Sequence, residues 1–174
     1  PLMVAARQGK IDIVKELLSL GANVNFKNNN NDTALLAAAW KCQSDIIKYF
    51  IDKGADVNVQ NKNYQSTPLM LVAECNDAAS AKTLISAGAN VNARNKVGMT
   101  ALISSALKNN TEVAKVLLDA GVDVDATWLR GEAALYEAAQ NGHDSMVSLL
   151  ISKGAKVNVH SAHNGWTPLM IAAA

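Results

Sequence analysis

The sequence predicts an all-α repeat solenoid, stacked antiparallel helix pairs with projecting β-hairpin loops, and three observations carry that prediction. A phrase closed by glycine recurs: LLSLGANVN at Gly21, FIDKGADVN at Gly54, LISAGANVN at Gly88, LLDAGVDVD at Gly121 and LISKGAKVN at Gly154, spaced 33, 34, 33 and 33 residues apart. A second phrase keeps the same period out of phase: PLMVAA at Leu2, TALLAAA at Leu35, TPLMLVA at Leu69, TALISSA at Leu102, AALYEAA at Leu135 and TPLMIAAA at Leu169. Two markers holding one period over the whole chain mean repeated structural units. Composition agrees: 49% apolar residues supply a sizeable core, too many for a disordered chain. One helix pair cannot bury its apolar face alone, whereas stacked neighbours share a continuous core.

Each element has a local cause. Thr67-Pro68 and Thr167-Pro168 are helix starts, because the Thr hydroxyl caps an orphan backbone N–H and Pro suits the first helical position. Thr33 and Thr100 keep the cap without the Pro. Ala133-Ala134 has neither, and a missing cap typically costs about 1 kcal/mol, so fraying is expected there. The first helix continues with small pairs such as Ala5-Ala6, Ala38-Ala39 and Ala138-Ala139, which let neighbouring helices approach closely. The second helix carries apolar residues at helical spacing, Ile13, Val14, Leu17 and Leu18 or Val113, Val116, Leu117 and Leu118. It stops at the recurring glycine, which accepts the left-handed conformation of a helix end.

The segment after that glycine reads as polar and extended, with Val24, Val57, Val91, Val124 and Val157 between polar neighbours, and so as a hairpin loop. The loops before Leu69 and Leu169 each hold one extra residue, near Tyr64-Gln65 and Asn164-Gly165. The helix Ala78–Leu84 is thin on large side chains, which predicts the softest part of the stack there. The chain is expected to be one array over 1–174, with units at about 1–27 (partial), 28–60, 61–94, 95–127, 128–160 and 161–174 (partial). Starting and stopping inside a unit is what a piece of a longer protein would do.

Global charge excludes little by itself. Sixteen Lys and Arg against fifteen Asp and Glu leave +1, which signals neither nucleic acid nor an anionic membrane. No apolar run approaches the roughly 18 residues of a membrane span. Cys42 and Cys75 are too few for a disulfide framework, and as free thiols they suit a reducing, cytoplasmic setting.

TPL at Thr67–Leu69 and Thr167–Leu169, the small pairs after each motif Leu, Asn141-Gly142-His143 between helices and GADVN at Gly54–Asn58 together carry a family likeness. With these phrases, over essentially its whole length, the chain resembles the ankyrin repeat family. The departures are consistent: the His usual after the motif Leu is replaced by Met3, Leu36, Met70, Ile103, Tyr136 and Met170. The resemblance implies a protein–protein interaction module or scaffold without chemistry or cofactor of its own. It implies binding on the hairpin tips and the exposed side of the first helices, a concave face. It also makes Asn58 the closest match to an asparagine that some members carry hydroxylated, and gives His143 a structural role in its turn.

Counting from each motif Leu maps that face. It contains Arg7, Trp40, Lys41, Lys62, Arg94, Lys96, Met99, Leu107, Lys108, Trp128, Leu129, Arg130 and Trp166, which are the expected partner-binding residues. With its other hairpin positions the face holds eight basic residues against the three acids Asp32, Glu74 and Glu132, an excess the global charge hides. Interfaces are enriched in Trp, Tyr and Arg. The expected partner is therefore a protein or peptide with acidic and apolar residues, held between Trp40 and the Trp128–Trp166 end. The competing reading of each Trp is packing against its own neighbouring hairpin.

Other chemistry has weak support. His160 and His163 lie three apart in a loop without Cys, Asp or Glu to complete a zinc set, so no metal is expected. Asp123 and Asp125 read as strand alternation on a wet edge. No phosphate-binding glycine loop and no nucleophile elbow is present. Two alternatives stay open: a recognition domain of a larger enzyme or effector, and nucleic-acid binding through the basic face, which ranks last because acids interrupt it. End-to-end self-association through apolar solenoid ends is also expected.

Overall fold

A computed structural model describes residues 1–129 and 131–174. Among them lie eleven helices in chain order: α1 (Leu2–Arg7), α2 (Ile11–Ser19), α3 (Ala34–Trp40), α4 (Ser44–Asp52), α5 (Pro68–Glu74), α6 (Ala78–Ser86), α7 (Ala101–Leu107), α8 (Thr111–Asp119), α9 (Ala134–Gln140), α10 (Asp144–Ser152) and α11 (Pro168–Ala172). The odd-numbered helices stack on one another in one row, and the even-numbered helices form a second row against them. No helix among the described residues is long and apolar enough to cross a membrane.

The caps act as the sequence predicts. Thr33, Thr67, Thr100 and Thr167 each accept a hydrogen bond at Oγ1 from the backbone N–H three residues on, at 3.3 Å. Ala133 offers no side-chain cap to α9. That helix start is held differently. The preceding chain forms the one β-pair among the described residues, β1 (Thr127–Trp128) antiparallel to β2 (Glu132–Ala133), with Thr127 opposite Ala133 and Trp128 opposite Glu132.

The core is one cluster running the length of the stack. The small pairs lie at the bottom of it: Ala6, Ala38 and Ala138 are fully buried. Helix α4 buries Ile46, Ile47 and Phe50, whereas α6 buries only Ser80, Ala81 and Leu84. The Ser80 hydroxyl is buried without a hydrogen-bond partner. The side chains that α6 buries are smaller than those of α4 and of α8, which buries Val113, Ala114 and Leu117, but α2 buries only Val14, so α6 is not the most thinly packed helix of the second row.

The segments after the recurring glycines are turns rather than extended strands, which corrects one expectation. The reason is local hydrogen bonding. Asn23, Asp56, Asn90 and Asp123 each accept at Oδ1 from the N–H two residues on, closing an Asx turn about the following Val. Asp123 and Asp125 are accordingly a turn and a link to the next unit, not an alternating edge. The extra residue before α5 and α11 widens the fingertip turn. Short loops close over three residues, as in Gly98 N–H to Asn95 O at 2.9 Å; long ones close over four, as in Gln65 N–H to Asn61 O at 3.0 Å and Gly165 N–H to Ser161 O at 2.8 Å.

Candidate partner-binding surface

Two ladders of hydrogen bonds fix the fingers to one another. In the first, Asn25 accepts from Asp56 N–H at 2.8 Å and donates to Gly54 O at 3.0 Å. Asn58 repeats this with Asn90 N–H and Gly88 O. Asn92 accepts from Asp123 N–H at 2.8 Å, and Asp125 from Lys156 N–H at 2.9 Å. In the second, backbone joins the fingertips: Lys62 N–H donates to Asn30 O, Lys96 N–H to Tyr64 O and Leu129 N–H to Val97 O. The result is a row of tips set at fixed spacing by backbone rather than by mobile side chains.

The expected face divides on this frame. At the ends of the first helices Arg7, Trp40, Lys41 and Lys108 are exposed. Trp40 is 63% exposed, and the Arg7 guanidinium from the preceding unit lies over its ring, 5.5 Å from the centroid. That geometry is a cation–π contact. Glu74 ends α5 at the register position that Trp40 and Leu107 hold in α3 and α7. Lost hydration holds its carboxyl above the ordinary glutamate range, while the Lys108 charge pulls it down. Leu107 is only half-buried and leans on the core.

At the fingers, several expected contact residues are already occupied. Arg94 donates from its guanidinium to Thr127 O and Gly98 O, tying its finger to the next. Lys62 donates from Nζ to Asn29 O at 3.0 Å, reaching back one unit. Met99 is half-buried, with its sulfur accepting from the Ser104 hydroxyl at 3.2 Å. Lys96 is exposed, Leu129 is 62% exposed and Trp166 39%. Arg130 lies outside the described residues.

Trp128 differs most from Trp40. It packs half-buried against the core, and its indole N–H donates to Glu137 Oε1 at 2.7 Å. Glu137 is 4% exposed. Burial pushes its carboxyl above the ordinary range, the Trp128 N–H pulls it back, and the Glu132 charge adds to the rise. Glu132 in turn accepts from the Ser161 hydroxyl at 3.1 Å, in the following finger. A lone Glu on the first helix, at the second position after its motif Leu, is a signal that sequence reading passes over. The pattern marks that position as core, where a carboxylate needs a buried donor.

The turns between helices also tie neighbouring units. His143 Nε2 lies 3.3 Å from Leu107 O, and Asn110 donates to Ala73 O at 2.7 Å. Cys42 and Cys75, read from the sequence as separate free thiols, are brought together between adjacent units, with their Cα atoms 6.3 Å apart. One repeat period separates them in sequence, so stacking brings them together. His160 and His163 are both exposed.

Family models for ankyrin repeats match three copies, over residues 1–61, 59–127 and 126–174. The chain belongs to the ankyrin repeat family. Ankyrin repeats are generally protein–protein interaction modules, and the capped helix pairs, paired fingers and cross-unit ladders described above are how this chain builds its repeat array. A search of curated proteins finds no match.

Proposed function

We propose that this ankyrin array is a non-catalytic interaction module. It takes a protein or peptide carrying acidic and apolar side chains across the exposed ends of its first helices and the adjacent fingertips. The observation that carries this reading is the Arg7–Trp40 pair, a large aromatic side chain left mostly uncovered on a rigid element beside Lys41. An exposed Trp flanked by cations has the make-up of an interface anchor. Burial of the Trp40 ring by an apolar residue, with a carboxylate against Arg7 or Lys41, would use both halves of that chemistry. The hydrogen-bonded ladders hold the surface in place before binding, which limits the ordering entropy lost on association.

A peptide-display selection against the chain tests the proposal. Enrichment of sequences mixing Asp or Glu with large apolar residues is expected. Trp40→Ala should weaken the selected peptides by about 2 kcal/mol or more by calorimetry. Ala at Lys153, whose ammonium pairs with Asp119 at 2.7 Å on the second row, should leave affinity unchanged. Equal losses at the two positions would remove this surface from consideration. Basic or featureless selected peptides would remove the proposed partner chemistry.

A further inference from the structure

The junction between the α3–α4 pair and the α5–α6 pair includes α6, which buries only one large side chain, Leu84, beside Ser80 and Ala81, and whose Ser80 hydroxyl is buried without a partner. A side-chain bond crosses it, from the Ser44 hydroxyl to Asp77 Oδ2 at 2.7 Å. The same junction carries the chain's two cysteines, 33 residues apart with Cα atoms separated by 6.3 Å. That separation lies within the range a disulfide spans without backbone movement. Cys42 sits in the turn between helices with φ of 54°, the place that Gly9, Asn76, Asn109 and Gly142 occupy in other units, all with positive φ. Cys75 is the C-cap residue that follows α5; it is exposed, and Cys42 is half-buried. A pair that bridges two units and remains open to solvent can be made and broken without opening the core.

We propose that Cys42 and Cys75 form a reversible thiol–disulfide site whose redox state sets the local stability of the α5–α6 unit. The reactant is a low-molecular-weight disulfide. The exposed Cys75 thiolate attacks one of its sulfurs, breaking that S–S bond, forming a mixed disulfide and releasing one small thiol. The Cys42 thiolate then attacks the Cys75 sulfur, forming the internal bond and displacing the second small thiol. Two electrons pass from the protein to the small disulfide, and the two protein thiol protons end on the two released thiols. Excess small thiol runs the same steps backwards. The oxidised form fastens this junction covalently; the reduced form leaves it to helix packing and to hydrogen bonds, Ser44–Asp77 among them. The inference does not rest on any partner.

The 174-residue chain equilibrated in buffers of varied reduced-to-oxidised glutathione ratio provides the test. Intact mass should show a form lighter by two hydrogens that appears and disappears with the ratio, and peptide mapping should join the two cysteines. Amide exchange in α6 should slow by about tenfold or more on oxidation, because the cross-link removes open states of the loop it closes. Cys42→Asn, which places at that turn the residue found at its counterparts Asn76 and Asn109, and Cys75→Ser should each exchange like the reduced wild type in every buffer. A persistent glutathione adduct, a disulfide-linked dimer or a bridge that no ratio reduces would overturn the proposal. So would unchanged exchange in α6 between the two forms.

Discussion

Two junctions of this array reach the same geometry by different chemistry. Around α5, Thr67 caps the helix and Asn58 both accepts from and donates to the next unit. Around α9 both devices are missing: Ala133 cannot cap, and Asp125 accepts from Lys156 N–H but has no amide with which to return a bond. In their place stand the β1–β2 pair, the ion pair of Lys156 with Asp125 at 3.4 Å and the bond from Trp128 to the buried Glu137. The two tryptophans follow this division. Trp40 sits where the standard devices already hold the unit, and it is free to face outwards. Trp128 sits where they have been lost, and it is recruited inwards. Surface position in a repeat pattern therefore marks a residue as available, not as exposed.

The largest test of that contrast removes each indole in turn. Trp128→Ala should cost about 2–3 kcal/mol in denaturant unfolding, since it takes away packing and leaves the Glu137 carboxylate buried without its donor. Trp40→Ala should cost less than about 1 kcal/mol, the worth of an exposed cation–π contact. Equal costs would break the comparison. A smaller effect sharpens it from the other side: Ala133→Thr should restore the cap that Thr33, Thr67 and Thr100 provide at equally buried positions, raising stability by about 1 kcal/mol. No gain would mean that the β1–β2 pair has made the cap redundant.

Asn58→Asp converts the standard link into the Asp125 kind. It should lower stability by roughly 0.5–1 kcal/mol, the net worth of one hydrogen bond, read as faster amide exchange in the adjoining turn. The finest test uses pH. The Glu137 carboxyl is held above its ordinary range in the fold, so the native state binds its proton more tightly than the unfolded chain does. Its contribution to stability is full in acid, below the unfolded value, and is lost as pH rises through the folded one. Glu137→Gln should therefore stabilise the array at neutral pH and show no advantage in acid. The opposite profile would mean that Trp128 dominates the carboxyl.

Much of this was legible along the chain because ankyrin repeats are quasi-one-dimensional. Caps at Thr33, Thr67 and Thr100, the small pairs, the thin helix over Ala78–Leu84 and the widened fingertips at Gln65 and Gly165 are local, and each has a local sequence cause. Arg94 and Lys62 were not legible as bracing residues, and for Trp128 packing within the array was legible only as the competing reading, without its partner Glu137. Their partners are carbonyls and a carboxylate that no local rule assigns to them, and a cation near a fingertip looks the same in sequence whether it is free or tied. The turns about Val24 and Val57 read as extended because β-branched alternation says nothing of the Asx bonds that curl the chain.

The sequence alone determined the period, the helix pairs, their starts and stops and the family, since each follows from bonds between residues a few positions apart repeated at fixed intervals. Only the tertiary structure decided which outward-facing side chains remain available, that Cys42 meets Cys75 and that Glu137 is answered by Trp128. Those outcomes depend on contacts between adjacent units and around loops, where stacking distance and direction, not sequence spacing, select the partner.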